Sequence, residues 1–100
     1  MPTEIDDEFY ERADEHIHLA NAQMANARRG VVSASFMYAA ARFNAYVSAC
    51  NAQSREHLIA ERQATIDYFT EQYRLALTEN LDDYISCFDD AMAPPSDQSS

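Results

Sequence analysis

Four polar residues stand where the helical pattern predicts an apolar interior: His16, Arg42, Asn44 and Arg62. A buried imidazole needs a hydrogen-bond partner, and a buried guanidinium needs a carboxylate or several acceptors. We therefore expect a hydrogen-bonded His16 and internal ion pairs at the two arginines, with surface exposure of their charged ends as a second possibility. The third possibility is an internal polar or ligand site built from these four residues.

One pair of residues has a metal-binding spacing. Glu15 and His18 match the Glu-x-x-His pattern of helical di-metal proteins, with Glu11 one turn upstream. The later helices offer no second such pair, and Glu11 and His18 point away from the apolar stripe of their helix. A solvated acidic face is the better interpretation. No nucleophile motif and no glycine-rich phosphate loop is present either, so we predict no catalytic residue, no metal and no cofactor.

Composition limits the classes of partner. The formal net charge is -10, with 17 acidic residues against 7 basic ones. Such a chain is repelled by phosphate backbones and anionic membranes, so we predict no direct nucleic-acid binding. Residues 31–52 are long enough to span a bilayer, but Arg42 and Asn44 near their centre make insertion costly, so we predict no membrane span either.

Cysteine usage and the first residues indicate a compartment. Cys50 and Cys87 are far apart and form no Cys-x-x-Cys pair, which predicts two buried, reduced thiols. The acidic segment 1–8 contains no apolar signal sequence. Both observations favour a cytoplasmic protein.

The elements that must position these side chains are helices, since the chain has one Gly and three Pro. Thr3 and Asp6 predict a first helix from about residue 4. Gly30 is the expected C-cap of this helix, after two arginines in its last turn. Ser33 is the expected N-cap of a second, central helix with apolar residues on two faces.

Ser54 is the expected N-cap of a third helix. The apolar stripe changes direction beyond residue 78, and Asn80 offers a fresh N-cap, so a kink or break is expected near 78–81. One uninterrupted helix is the alternative. The predicted fold is all-α: a small helical bundle of three main helices plus a C-terminal helical segment. Residues 1–92 form one domain in this prediction, and the Pro- and Ser-rich residues 93–100 form a disordered tail.

Several segments resemble a family of short bacterial proteins catalogued as a domain of unknown function. The segments include residues 9–10, 12–14, 16–17, 19–21, 32–35, 38–45 and 81–84. The resemblance covers most of residues 5–88. It implies a small helical, cytoplasmic bacterial protein, and it implies no catalytic residue, cofactor or substrate.

Surplus apolar surface is the remaining functional indication. The central helix has two apolar faces, and the third helix carries a second patch at Ala64, Tyr68 and Leu75, more than three packed helices obviously bury. We therefore expect an acidic protein-protein interaction or adaptor module, binding a protein partner or a second copy as a homo-oligomer. The alternative, from a different class, is a ligand-binding or enzymatic helical bundle with an internal polar site around Arg42.

Overall fold

The computed structural model describes residues 5–92, which contain five helices and no strand. They are α1 (Phe9–Gln23), α2 (Arg29–Asn51), α3 (Arg55–Ala60), α4 (Arg62–Ser86) and α5 (Phe88–Ala91). The prediction of an all-α chain with three main helices and a C-terminal helical segment is confirmed. The described chain consists of two compact units, with the boundary after Arg62, the first residue of α4. The first unit contains α1 to α3, and the second contains the rest of α4 together with α5.

The first helix begins later than expected. Residues 5–8 precede α1 as non-helical backbone and a turn, and the Asp6 carboxylate accepts hydrogen bonds from the backbone N–H of Glu8 and from the side chain of Arg12, at 3.1 and 3.0 Å. The expected start at residue 4 and the cap at Thr3 lie outside the described residues. Asp6 therefore orders the approach to the helix, and Phe9 is its first residue.

The boundary between the first two helices also differs from the prediction. The first helix ends at Gln23, and the N–H of Asn26 bonds to the Gln23 carbonyl in the turn that follows. Arg28 is extended at φ -71° and ψ 153°, and its carbonyl accepts from the N–H groups of Val31 and Val32. Gly30 is therefore in the first turn of α2, without a positive φ, and is not a C-cap.

Ser33 is likewise helical and caps nothing, since α2 has already begun at Arg29. The prediction for Ser54 is confirmed. Its hydroxyl accepts from the N–H of His57 at 3.0 Å, and His57 returns a bond by accepting from the N–H of Gln53 through Nδ1 at 3.0 Å. This reciprocal pair satisfies N–H groups that a helix start leaves without partners, so the sequence Ser54 to His57 sets where α3 begins.

Of the kink or break predicted near 78–81, the break is wrong, because the helix is uninterrupted there, and a kink within it stays a prediction. Helix α4 runs through these positions to Ser86. Asn80 does not cap a new helix, because its Nδ2 donates to the Ala76 carbonyl one turn earlier, at 2.8 Å. The interruptions instead lie at Glu61, before α4, and at Cys87, where φ is -127° and ψ is 39°. Without Gly or Pro at 78–81, nothing in the backbone favours a stop.

Helices α1 and α2 are in contact, and the burial there is slight. Val32 is the one buried hydrophobic side chain in residues 5–92, at 5% exposure. The bulky face of α2 remains partly open, with Phe36 and Val47 each 37% exposed and Phe43 63% exposed. Large apolar side chains that are exposed together often mark a site where another molecule binds. These side chains are therefore candidates for an interaction surface.

Candidate interaction surface

The four predicted site residues do not share one environment. His16 is on α1, Arg42 and Asn44 are on α2, and Arg62 is the first residue of α4. Three of them are exposed, and Asn44 is half-buried. Since two consecutive steps along a helix turn it by about 200°, Arg42 and Asn44 point to nearly opposite sides of α2. The internal site built from these four residues stays a prediction.

His16 contacts an aromatic ring. Its imidazole lies edge-on to Phe36 of α2, with the ring centroids 6.4 Å apart and the planes at 64°. Among residues 5–92, no hydrogen bond from a protein group to the His16 side chain is found. The expectation of a hydrogen-bonded, buried His16 is therefore not met, because its side chain is accessible to water and needs no protein partner.

Arg42 and Arg62 are exposed, and in the described part of the chain neither belongs to an ion pair. Exposed guanidinium groups are solvated by water, so an internal carboxylate is not required. The expectation of buried arginines assumed that the apolar faces of both helices, α2 for Arg42 and α4 for Arg62, are covered. Arg42 is exposed instead, so the prediction that it is buried is wrong.

Asn44 has a local role. It is half-buried, and its backbone carbonyl accepts from the Ser48 hydroxyl at 3.0 Å. This bond lies within α2, between residues one turn apart. It orients the Ser48 hydroxyl toward the helix backbone.

Residues 5–92 contain two ion pairs, both on the surface. Arg74 donates from Nε and Nη2 to the two carboxylate oxygens of Glu71, at 3.0 and 2.7 Å. The hydrogen bonds with Arg74 lower the pKa of Glu71, and the same pair raises the pKa of Arg74. A hydrogen bond from Arg12 lowers the pKa of Asp6 in the same way. These groups titrate as structural surface pairs, and none has the perturbed environment of an acid or base catalyst.

Both cysteines are free and exposed, so the prediction of buried thiols is wrong. Cys87 Sγ donates to the Asp83 carbonyl at 3.0 Å. The error follows from the same assumption as for the arginines, namely that the apolar faces of the helices are covered.

Large apolar side chains are exposed toward the end of α4 and beyond it. We call these five residues, between 52% and 71% exposed, the C-terminal apolar surface: Leu81, Tyr84, Ile85, Phe88 and Met92. Exposed carboxylates lie between them in sequence, at Asp82, Asp83, Asp89 and Asp90. An apolar patch bordered by a single sign of charge is a typical composition of a protein-binding surface.

The positions of the carboxylates along the chain form a second pattern. From His16 to Arg55 there is no Asp or Glu, whereas this range contains four of the seven arginines. Helix α2 lies wholly inside this carboxylate-free range. The net charge of -10 does not show this uneven distribution of carboxylates, although the distribution can be read from the sequence alone.

Among residues 5–92, no helix combines the length and the hydropathy needed to cross a bilayer.

Comparison with known proteins gives a family and no activity. No curated protein matches the chain. A solved structure, the NMR structure of the protein NB7890A from Shewanella sp., is similar at 41% sequence identity and a TM-score of 0.73. The similarity covers 89% of this chain and 95% of that one. The family model described as a protein of unknown function, DUF3144, matches residues 9–85. The chain therefore belongs to the DUF3144 family.

Proposed function

We propose that this protein is an acidic helical protein-protein interaction module that acts as an adaptor. The observation that carries the proposal is the exposure of large apolar side chains on both compact units, while Val32 is the one buried hydrophobic residue of the described chain. Burying such side chains gives about 25 cal/mol for each Å² removed from water. A partner that covers them therefore gains binding free energy from the same groups that the chain leaves open.

The C-terminal apolar surface supports a partner with basic residues around an apolar groove. Ile85 is the most exposed of its side chains, at 71%, and four exposed aspartates accompany the surface. None of these aspartates forms an ion pair within residues 5–92. Their charge is therefore available to steer a basic partner, and such steering weakens as salt screens it.

A reducing, cytoplasmic location fits this role, supported by the two unpaired thiols. One of the thiols lies beside the C-terminal apolar surface, Cys87 between Ile85 and Phe88. A free thiol at such a position persists where thiols are kept reduced.

Site-specific photo-cross-linking in the source cells tests the proposal. A photoreactive amino acid at Ile85 should yield an adduct of discrete mass, whose partner has a basic surface. The same probe at Thr70, an exposed residue of α4 outside the surface, is the control. Adducts at neither position, or equal adducts at both, would remove the proposal.

A charge variant tests the electrostatic part. The double change Asp82→Asn with Asp83→Asn should lower the yield of the Ile85 adduct, because it removes two carboxylates beside the probe. Asp14→Asn with Glu15→Gln removes the same charge from α1 and should leave the yield unchanged. In cell extract, raising the salt concentration should lower the yield for the parent protein and affect the first variant less.

A further inference from the structure

We infer that a second copy of this chain docks on the outward face of α2, antiparallel to the first, with the two-fold axis crossing that face at the height of residue 40 along the helix. The surface is distinct from the C-terminal apolar surface, so this inference does not depend on the proposed function. The face is exposed in the described chain, and in the dimer the same face of the second copy covers it.

The surface consists of residues on the side of α2 away from Phe36 and its contact with His16. At 100° per residue, its members lie within about 40° of one line along the helix. All six are exposed, and together we call them the α2 outer surface: Val31, Ser35, Tyr38, Arg42, Ala45 and Ala49. Tyr38 is the most exposed of the large residues of α2, at 68%.

This surface is complementary to itself. In an antiparallel pair centred midway between Tyr38 and Arg42 along the helix, residue 38 of one copy faces residue 42 of the other, residue 31 faces residue 49, and residue 35 faces residue 45. Val31 then meets the small side chain of Ala49, and each Tyr38 ring meets an Arg42 guanidinium. Large side chains oppose small ones, and the cation opposes an aromatic face, which is a favourable pairing. The small residues at 35, 45 and 49 let the two backbones approach closely.

Charge favours this surface over others. Each copy has a formal charge of -10, so most contacts between two copies bring carboxylates together. The range from His16 to Arg55 contains no carboxylate, and α2 lies inside it. Two copies that meet along α2 therefore bring no Asp or Glu of either α2 helix into the contact. Arg42, which has no ion-pair partner within residues 5–92, is the one charged residue of the surface.

Sedimentation equilibrium of the full chain tests the inference. The parent protein should have about twice the 11.3 kDa mass of one chain. Ala45→Glu puts a larger, charged side chain against Ser35 of the second copy and should raise the dissociation constant at least ~tenfold, because the close approach at this position leaves no room for it and burying its carboxylate costs free energy. Ala64→Glu adds the same charge at an exposed position of α4 and should leave the dissociation constant within about twofold of the parent.

A compensating change tests the register. Ser35→Arg combined with Ala45→Glu should restore the parent dissociation constant to within about threefold, since each glutamate then faces an arginine of the other copy. The two positions are ten residues apart on one helix, about 15 Å, so they cannot pair within one copy. Far-ultraviolet circular dichroism of each variant checks that α2 remains helical.

A monomeric mass for the parent protein would overturn the inference, and so would an Ala45→Glu variant that dimerises normally. Dimerisation that Ala45→Glu abolishes and the compensating change does not restore would overturn the antiparallel register. None of these results affects the cross-linking at Ile85, which tests the proposed function separately. An Ile85 adduct to another protein combined with a monomeric parent would support the adaptor role and remove the second copy.

Discussion

The imidazole of His16 lies edge-on to the ring of Phe36, with their centroids 6.4 Å apart, and this contact joins α1 to α2. An aromatic edge-to-face pair contributes about 0.5 to 1.5 kcal/mol beyond the area it buries. The contact therefore matters in a chain whose described residues bury a single hydrophobic side chain. It also gives His16 a role that involves no hydrogen bond.

His16→Phe should leave the free energy of unfolding equal or slightly higher, because the aromatic pair with Phe36 is retained. His16→Ala should lower it by about 1 kcal/mol, because the pair is lost. Urea unfolding monitored by circular dichroism measures both. A loss above about 1 kcal/mol for His16→Phe would instead indicate a polar partner for the imidazole.

Val32→Ala should lower the free energy of unfolding by about 2 kcal/mol, because Val32 is 5% exposed and its truncation leaves a cavity. Val31→Ala makes the same chemical change one residue away, at a side chain 48% exposed, and should cost less than about 1 kcal/mol. Both are compared by urea unfolding at the lowest practicable concentration, where association of copies contributes least. Equal losses would mean that Val32 is not the packed residue.

Local chemistry explains which parts of the fold could be predicted. The hydroxyl of Ser54 satisfies an N–H three residues away, so a four-residue segment contains the whole signal for the start of α3. Gly30 follows two arginines and has the signature of a helix end, yet the turn after Gln23 ends α1 earlier. Such stop signals are statistical preferences, and tertiary contacts between helices override them.

The predicted burial of the site residues depended on which helix faces are covered by other elements, and the spacing of apolar residues does not contain this information. The spacing of apolar residues shows that α2 has two apolar faces, but it does not show what covers each face. Burial was therefore expected at Arg42 and at both cysteines, and all three are exposed. The distribution of carboxylates was readable from the sequence, and it distinguishes the α2 outer surface from the acidic ends.

Ser54→Ala should lower the free energy of unfolding by about 1 kcal/mol, because the N–H of His57 loses its acceptor at the start of α3. Ser33→Ala is the matched control. Ser33 lies inside α2, where Ala is the better helix former, so this change should be neutral or slightly stabilising. Thermal unfolding followed by circular dichroism distinguishes the two serines, and a larger loss at Ser33 would contradict the observed helix boundaries.

Asn80→Ala distinguishes a continuous α4 from a helix that restarts near residue 80. In the continuous helix, Asn80 donates to the Ala76 carbonyl, and replacement by Ala should raise stability by up to about 0.5 kcal/mol. An N-cap asparagine would respond in the opposite direction, with a loss of about 1 kcal/mol. The sign of the change in the free energy of unfolding, measured by urea unfolding, therefore decides between a continuous α4 and a helix that restarts near residue 80.

The ion pair of Asp6 and Arg12 predicts a pH dependence at the start of α1. The hydrogen bond from Arg12 lowers the pKa of Asp6 below its ordinary 3.8. Because the folded pKa is the lower one, the stabilisation is fully present above pH 3.8 and is lost as the pH falls through the lowered value. Arg12→Gln should move the pKa of Asp6 back toward 3.8, as measured by carboxyl carbon NMR titration. Arg74→Gln should shift Glu71 toward 4.5 and leave Asp6 unchanged, so an Asp6 titration insensitive to Arg12→Gln would contradict the pairing.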